Sequence, residues 1–369
     1  MRVLLISYFY LSSLNELGLN LAMKTNLKVI LSLTLVLLFP GFLFSRDYKI
    51  LQWNIWQEGT MVPGGFEAIV NEIHRLKPDF VTLSEVRNYN GSDFTARLTQ
   101  ELEKKGLKYH TAKSYDTGLL SIYPIERFDT IFPHEGDHGT IYRLHATSEN
   151  GDRFAVFTAH LDYQNCAYYE PRGYSGVDWS ECEIPQSVDE ILRKNDLSLR
   201  DDAIRNFISA AEKDIEDGRT VIIGGDFNEP SLFDWIPDNK DLYDHNGFVV
   251  PWTVSSLLKE HNYTDTYRSI YPDPIENPGF TYPASNPEVG IKKLTWAPKS
   301  DERERIDYIF YKSPENIETK VKDATIFGPI ETICRSEPVK DPGHDKFITP
   351  LGVWPTDHKG LLVVLSVIP

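Results

Sequence analysis

Polar and apolar positions change period repeatedly along this chain. Residues 49–55, 79–85, 118–122, 141–147 and 220–223 are short apolar runs of the kind that form strands. Residues 153–160 alternate and then end in polar residues, and 305–311 and 360–367 read as later strands. Between these runs the period lengthens. Phe66, Ile69, Val70, Ile73 and Leu76 recur at steps of three and four, which predicts an amphipathic helix over 65–76, ended by Pro78. Phe94, Leu98 and Leu102 predict a second helix stopped by Gly106. Ile204, Phe207, Ile208, Ala211 and Ile215 predict a third, closed by Gly218. Strands and helices interleaved in this way imply α/β packing, with helices covering sheets. Hairpin-like connections, as around Gly151, imply mixed sheets. Two stretches, 163–198 and 236–301, have no clear period and are rich in Pro and aromatic residues. Irregular segments this long either build binding sites and lids or are ordered surface decoration.

The first 45 residues have a different pattern. After Met23 come Lys24 and Lys28, an apolar run over 29–39, the breaker Pro40-Gly41 and the small residue Ser45. That is the layout of a secretory signal peptide. The run is about half the roughly 20 residues that a membrane-spanning helix needs. The expected organisation is an over-extended N-terminus at 1–22, a signal peptide at 23–45, and one domain over 46–369 interrupted by an insertion at 163–198. The protein is then exported, to a periplasm or the medium, with no stable membrane span after cleavage. The alternative is an uncleaved N-terminal anchor.

Composition narrows the partners. Of 369 residues, 41% are hydrophobic and 25% charged, which excludes a disordered chain. The net charge is −16. Residues 1–45 hold three basic and one acidic residue, so the remainder carries 35 basic against 53 acidic residues, a net −18. No Lys/Arg run is present, which argues against tight binding of duplex nucleic acid. An acidic surface of this kind is soluble, does not seek anionic membranes, and is expected on a monomer. Three cysteines, Cys166, Cys182 and Cys334, show no zinc-site spacing. Cys166 and Cys182 both lie in the insertion, and a bridge between them and free thiols remain equal alternatives.

Polar residues end almost every strand. Asn54 ends the first and Glu85 the second; His160 ends 153–160. After Thr220-Val221-Ile222-Ile223 comes Gly224-Gly225-Asp226-Phe227-Asn228, in which two glycines are expected to let the backbone turn. Asp226 and Asn228 are two apart, so on extended backbone both point the same way. Asp307 interrupts the apolar Ile306-Asp307-Tyr308-Ile309, a costly place for an acid without a partner. Asp357 and His358 precede the last strand. Taken singly, each has a plain structural reading, as turn residue, cap, core histidine or ion-pair member. Ligands in α/β proteins bind where strand ends converge, and the ordered set points to one cleft.

The segments Gln52-Trp53-Asn54-Ile55, Leu83-Ser84-Glu85-Val86, Thr158-Ala159-His160-Leu161-Asp162, Gly224-Gly225-Asp226-Phe227-Asn228, Arg305-Ile306-Asp307-Tyr308 and Thr356-Asp357-His358 occur in one order over nearly the whole of 46–369. In that order they resemble the endonuclease/exonuclease/phosphatase superfamily, which includes pancreatic deoxyribonuclease. The resemblance implies a four-layered α/β/β/α sandwich and metal-dependent hydrolysis of a phosphate ester. It implies that Glu85 ligates Mg²⁺, with Mn²⁺ as a substitute, that Asn54 helps hold the metal and that Asp357 lies at the metal end. It further implies that Asp226 orients or deprotonates the attacking water, that Asn228 binds the phosphate, that His160 and His358 contact phosphate oxygens, and that Asp307 orients His358.

Two departures stand out. Where many relatives carry Arg, Ser121-Ile122-Tyr123 places Ile122, and no acid lies two residues beyond Asn54. The insertion follows His160 closely, so Tyr168, Tyr169, Arg172, Tyr174 and Trp179 either clamp substrate or pack on one another. The functional reading is an exported phosphoesterase acting on phosphate mono- or diesters. One alternative is a nuclease, for which Arg172, Arg193, Lys194, Arg200, Lys292, Lys293, Arg303 and Arg305 supply the cations. The other is a non-catalytic binding protein on the same fold, which predicts a lost base, ligand or histidine; none is lost.

Overall fold

A computed structural model describes residues 45–133 and 138–368. The expected signal peptide and the segment before it therefore lie outside the described residues, Ser45 excepted. In chain order the strands are β1 (Arg46–Asn54), β2 (Phe80–Val86), β3 (His110–Thr111), β4 (Asp116–Ser121), β5 (Ile125–Phe132), β6 (Gly139–Thr147), β7 (Arg153–Leu161), β8 (Thr220–Asp226), β9 (Thr264–Asp265), β10 (Asp307–Lys312), β11 (Glu318–Phe327), β12 (Glu331–Cys334), β13 (Glu337–Lys340), β14 (Phe347–Ile348) and β15 (Gly360–Ile368). The helices are α1 (Gly65–Leu76), α2 (Phe94–Lys104), α3 (Val188–Asn195), α4 (Arg200–Glu216), α5 (Thr253–Glu260) and α6 (Thr266–Ile270). β12 and β13 form a separate two-stranded ribbon; of the two large sheets, one runs β14-β11-β15-β1-β2-β4-β3 and the other β5-β6-β7-β8-β10-β9. Both are mixed: β1 and β2, and likewise β7 and β8, are parallel within otherwise largely antiparallel sheets.

Period-two alternation builds the layers. In β1, Leu51 and Trp53 pack outward with Ile69, Val70 and Ile73 of α1 and Leu98 of α2, whereas Ile50 joins the core between the sheets. In β8, Val221 and Ile223 pack outward with Ile204 and Phe207 of α4 and Leu258 of α5, whereas Ile222 faces inward. β7 repeats the pattern, with Ala155 and Phe157 outward and Phe154 and Val156 inward. Three apolar clusters separated by two sheets make the expected α/β/β/α sandwich. Followed along each strand, the inward phase reaches Asn54, His160 and Asp226 at the ends and Asp307 at the start of β10. The face that forms the inter-sheet core thus turns polar where β1, β7, β8 and β10 meet.

The two glycines before Asp226 do not turn the chain. Both lie inside β8 on extended backbone. A Cβ on Gly224 would stand 2.4 Å from Thr82 Oγ1 on the facing sheet, and one on Gly225 would stand 2.2 Å from the Ala159 carbonyl oxygen on β7. Gly224 is glycine because the two sheets approach closely there, and Gly225 because the neighbouring strand β7 crowds it.

The two irregular stretches fold together. Cys166, Tyr168, Tyr169, Tyr174 and Ile191 of the insertion pack with Trp235, Val250, Trp252 and Ala297 into a separate apolar cluster. Cys166 and Cys182 are free thiols. Arg305 anchors the base of this region: its Nε donates to Asp234 at 2.9 Å and its guanidinium pairs with Asp265 at 2.8 Å, all buried. Arg305→Leu takes the cation from buried Asp265 and leaves Asp234 with Arg268 alone, at 2.6 Å. It is expected to cost about 3–5 kcal/mol, read as a lower urea midpoint; an unchanged midpoint would contradict this account.

Candidate active site

Asp226 is the centre of the polar strand ends. Its Oδ2 accepts from Asn54 Nδ2 at 2.9 Å, and its Oδ1 accepts from the Asn228 backbone N–H at 2.9 Å. Ser84 Oγ accepts from the Asp226 N–H at 3.1 Å, which ties the strand end to β2. Nε2 of His160 and Nε2 of His358 each lie 3.8 Å from Asp226 Oδ2. The two rings reach that point from opposite origins. His160 is paired beside Asp226 across β7 and β8, and His358 comes from the loop before β15.

Each ring is fixed from behind by a carboxylate on Nδ1. Asp307 Oδ2 lies 2.9 Å from His358 Nδ1, and the other oxygen of Asp307 accepts from Gln52 Nε2 at 3.1 Å. Thr281 Oγ1 accepts from the Asp307 backbone N–H at 3.1 Å. For His160 the partner is Asp116, at 2.7 Å, which also forms an ion pair with Arg87 at 2.6 Å. Burial opposes charging of His160, but Asp116 outweighs it, with Asp226 and Glu85 adding, and the ring is pushed up to about 9. Burial likewise opposes charging of His358, and Asp307 and then Asp226 push it up to about 10. Burial raises Asp226 above the usual carboxylate range, against the pull of the two histidines.

Glu85 reaches the cleft through a defect in β2. Its neighbours Leu83 and Val86 both face the outer core, and the pairing with β4 slips between Ser84 and Val86. Glu85 is the extra residue of that bulge and has φ 67°, a left-handed conformation that costs a non-glycine residue about 1–3 kcal/mol. Its Oε1 accepts from Asn54 Nδ2 at 3.1 Å and its Oε2 from the Gln57 N–H at 2.9 Å. Asp116, opposite the bulge, is also left-handed, with φ 61°. Asn228 has φ 50°, and its side-chain Nδ2 donates to the Leu161 carbonyl at 3.0 Å.

These groups line one cavity of about 420 Å³, which holds Glu85, Arg87, His160, Asp226, Asn228, Asp357 and His358. Six of the eight expected site residues thus converge directly or through hydrogen bonds on a seventh, Asp226, and the eighth, Asp357, lines the same cavity. Asn54 ties the site together through both ends of its amide. Its amide oxygen accepts from Trp56 N–H at 2.9 Å, while its nitrogen holds Glu85 and Asp226 together. Asp116, Arg87 and Gln52 are the site residues the sequence reading missed. Ile122 packs against the outer core, and the guanidinium in the cleft is that of Arg87.

The profile of the Endonuclease/Exonuclease/phosphatase family matches residues 51–358. The chain belongs to that family. Members of the endonuclease/exonuclease/phosphatase family are nucleases or phosphatases and typically depend on a divalent metal. An uncharacterized protein of Caenorhabditis elegans, F14F9.5, is 27% identical over 277 residues, covering 73% of this chain and 80% of the worm protein. Among solved structures, the human Nocturnin catalytic domain with bound sulfate is similar at 14% identity and TM-score 0.48, over 87% of this chain and 94% of that one. An endonuclease/exonuclease/phosphatase from Beutenbergia cavernae DSM 12333 is similar at 16% identity and TM-score 0.46, over 87% and 71% respectively.

The donor set fits the hard divalent cation the family uses. Glu85 and Asp357 both line the cleft. Burial raises Asp357 above the carboxylate range; His358 opposes this, and the charge of Glu85 adds to it. Two carboxylates that repel one another at a cavity wall suit an oxygen-seeking cation with retained waters. A second cluster, Asp226, Asp307 and His358, brings ligand atoms within 4.8 Å of one another. There His358 Nδ1 is already engaged by Asp307, at 2.9 Å.

Proposed function

We propose that this protein is a divalent-metal-dependent phosphoesterase that hydrolyses phosphate esters by attack of an activated water. The observation that carries the reading is the placing of two carboxylate-backed histidines at equal 3.8 Å distances from one buried acid, Asp226. Both rings are protonated at neutral pH, so they present N–H donors to anionic phosphoryl oxygens. Asn228 lies beside them as a further polar contact. Asp226, less acidic than an exposed carboxylate, takes a proton from the attacking water. The water oxygen then bonds to phosphorus, the ester P–O bond breaks on the opposite side, and the departing oxygen takes a proton from solvent to leave as an alcohol. Glu85 and Asp357 would hold the cation, with Asn54 fixing Glu85, and the bound ion offsets charge on the phosphoryl oxygens.

Small substrates fit the charge distribution better than nucleic acid. Arg172, Arg200, Arg303 and Arg305 are buried against Glu304, Glu229, Asp301 and Asp234, and Arg87 in the cleft is paired with Asp116 at 2.6 Å. Lys194 pairs with Glu170 at 2.7 Å. A screen with Mg²⁺ or Mn²⁺ over small phosphate mono- and diesters, inositol phosphates, sphingomyelin, RNA and plasmid DNA tests this. Turnover is expected on the small esters. Faster cleavage of plasmid DNA at physiological salt would favour the nuclease reading, and no turnover of any substrate would favour a non-catalytic binding protein.

A further inference from the structure

We propose that Glu58 is a positioning residue for the metal end of the cleft: its buried carboxylate pins the turn that carries Glu85, and so sets where that ligand stands. This rests on the phosphoesterase reading above and adds to it a residue outside the cleft. Glu58 is 3% exposed, and the cavity wall is made by its neighbours Trp56 and Gln57 and by Glu85. An acid buried away from the chemistry is costly unless its charge is used.

Two loops face one another at this end of the cleft. The first follows β1 and holds Trp56, Gln57 and Glu58, all left-handed, with φ 41°, 54° and 63°. The second contains the bulge residue Glu85 and, three residues on, Asn88, left-handed at φ 67° and 52°. Residues with a Cβ seldom adopt this conformation, and a run of three persists only where the surroundings impose it. Here the contacts run from loop to loop. Glu85 Oε2 accepts from the Gln57 N–H at 2.9 Å, and Glu58 Oε1 accepts from the Asn88 N–H. Tyr89 OH donates to Gln57 Oε1 at 2.7 Å. Gln57 therefore holds the side chain of Glu85, and Glu58 holds the backbone that follows it.

The sheet cannot supply this hold alone. β2 pairs with β4 as far as Ser84, slips past Glu85 and regains a partner only at Val86, its last residue. Burial raises Glu58 toward its protonated form; the Asn88 N–H opposes this most, then the charge of Arg97, then the amides of Arg87 and Tyr89. Three successive amides thus turn toward one carboxylate, which accepts at both oxygens, whereas a side-chain amide would set its own N–H against one of them. Asn88 carries the hold further. Its Nδ2 donates to the Ser114 carbonyl at 2.6 Å, two residues before Asp116, and its Oδ1 accepts from the Phe94 N–H at 3.0 Å, at the start of α2. Glu58 is itself held from behind, because the next N–H, that of Gly59, donates to the Ile55 carbonyl at 2.7 Å. The turn bearing Glu85 is thereby set before any ion arrives, the support on which the precision of a metal site depends.

The test is Mn²⁺ binding to the full chain without substrate, followed by the electron paramagnetic resonance signal of the free ion. Glu58→Ala and Glu58→Gln are each measured alone and on the Glu85→Gln background, with circular dichroism to confirm the fold. Glu58→Ala is expected to weaken Mn²⁺ binding by roughly 10- to 100-fold, the scale on which loss of an outer supporting contact is felt. Glu58→Gln keeps the shape and one acceptor, so it should weaken binding less, and it carries the comparison if the alanine variant does not fold. On Glu85→Gln neither change should add more than about 2-fold, because Glu58 acts through Glu85. A residue that merely supports the fold would add its full loss on both backgrounds. Wild-type Mn²⁺ affinity in the folded variants, or equal losses on the two backgrounds, would overturn the proposal. The expected losses with no turnover of any ester would uphold the positioning role and overturn the hydrolytic reading instead. A wild type that binds no Mn²⁺ would overturn both.

Discussion

Asp226→Asn is expected to lower kcat by about 10²–10⁴-fold, the usual contribution of a general base, while leaving the protein folded. The two halves of this expectation come from the same geometry. Asp226 is 1% exposed, and burial makes its ionised form costly. Asn keeps the shape, and its oxygen can still accept from the Asn228 N–H, the contact now made at 2.9 Å. It removes the charge that folding must desolvate, and with it the ability to take a proton from water. Thermal unfolding alongside initial rates separates lost chemistry from lost fold. An active Asp226→Asn variant would remove this residue from the mechanism.

The pH profile adds a second signature. Wild-type activity should rise with pH through a range above that of ordinary carboxylates, as Asp226 ionises. It should fall as pH passes about 9, where His160 begins to lose its proton, with His358 following near 10. The sign follows from the partners. A ring raised by Asp116 or Asp307 is charged below its own pKa and neutral above it, so the donors disappear on the alkaline side. In Asp226→Asn the residual rate should lose the acid limb and keep the alkaline one.

Most of this site was legible because strand periodicity carries into it. Asn54, His160, Asp226 and Asp307 lie on the same phase as Ile50, Val156, Ile222 and Ile309, which form the inter-sheet core. A chain that keeps two sheets together with alternate apolar residues and then places polar ones on that phase is pointing them at a shared cleft. Glu85 and Asp116 break the rule. By alternation, Glu85 shares the phase of Leu83 and Asp116 that of Leu120, and both of those face the helices. A bulge and two left-handed backbones turn the acids inward. The ordered motifs identified Glu85 despite this; nothing comparable marked Asp116, so the partner of His160 went unread. Gly224 and Gly225 failed differently. Glycine before Asp and Asn suggests a turn, but here the missing side chains answer to Thr82 on the facing sheet and to Ala159 on the neighbouring strand, which no local pattern encodes. Arg172, a candidate clamp, is spent on Glu304, whereas Trp179 does line the cleft.

Chelation with EDTA is expected to reduce turnover by at least about 10³-fold, in keeping with the several kcal/mol a Lewis-acidic ion supplies to a phosphoryl transition state, and to leave the fold in place. The fold expectation follows from the packing. The apolar clusters on either side of each sheet, and the hydrogen bonds around Asp226, are complete without an ion. Glu85→Gln is then expected to raise the Mg²⁺ concentration for half-maximal rate by roughly 10- to 100-fold, the scale on which metal sites respond to a weakened shell. Proton release provides a readout independent of rate. Asp357 is held toward its protonated form by burial, with the charge of Glu85 adding to it. A cation bound between them favours the carboxylate, so binding should expel a proton below the raised pKa of Asp357. Calorimetry in buffers of different ionisation enthalpy measures that proton, and Asp357→Asn should abolish its release. If Glu85→Gln and Asp357→Asn both keep wild-type metal dependence while EDTA still inactivates the enzyme, the ion sits elsewhere, and the cluster of Asp226, Asp307 and His358 becomes its site. That outcome would also require His358 to give up its proton on binding, so its ring resonances would titrate with metal instead of staying those of an imidazolium.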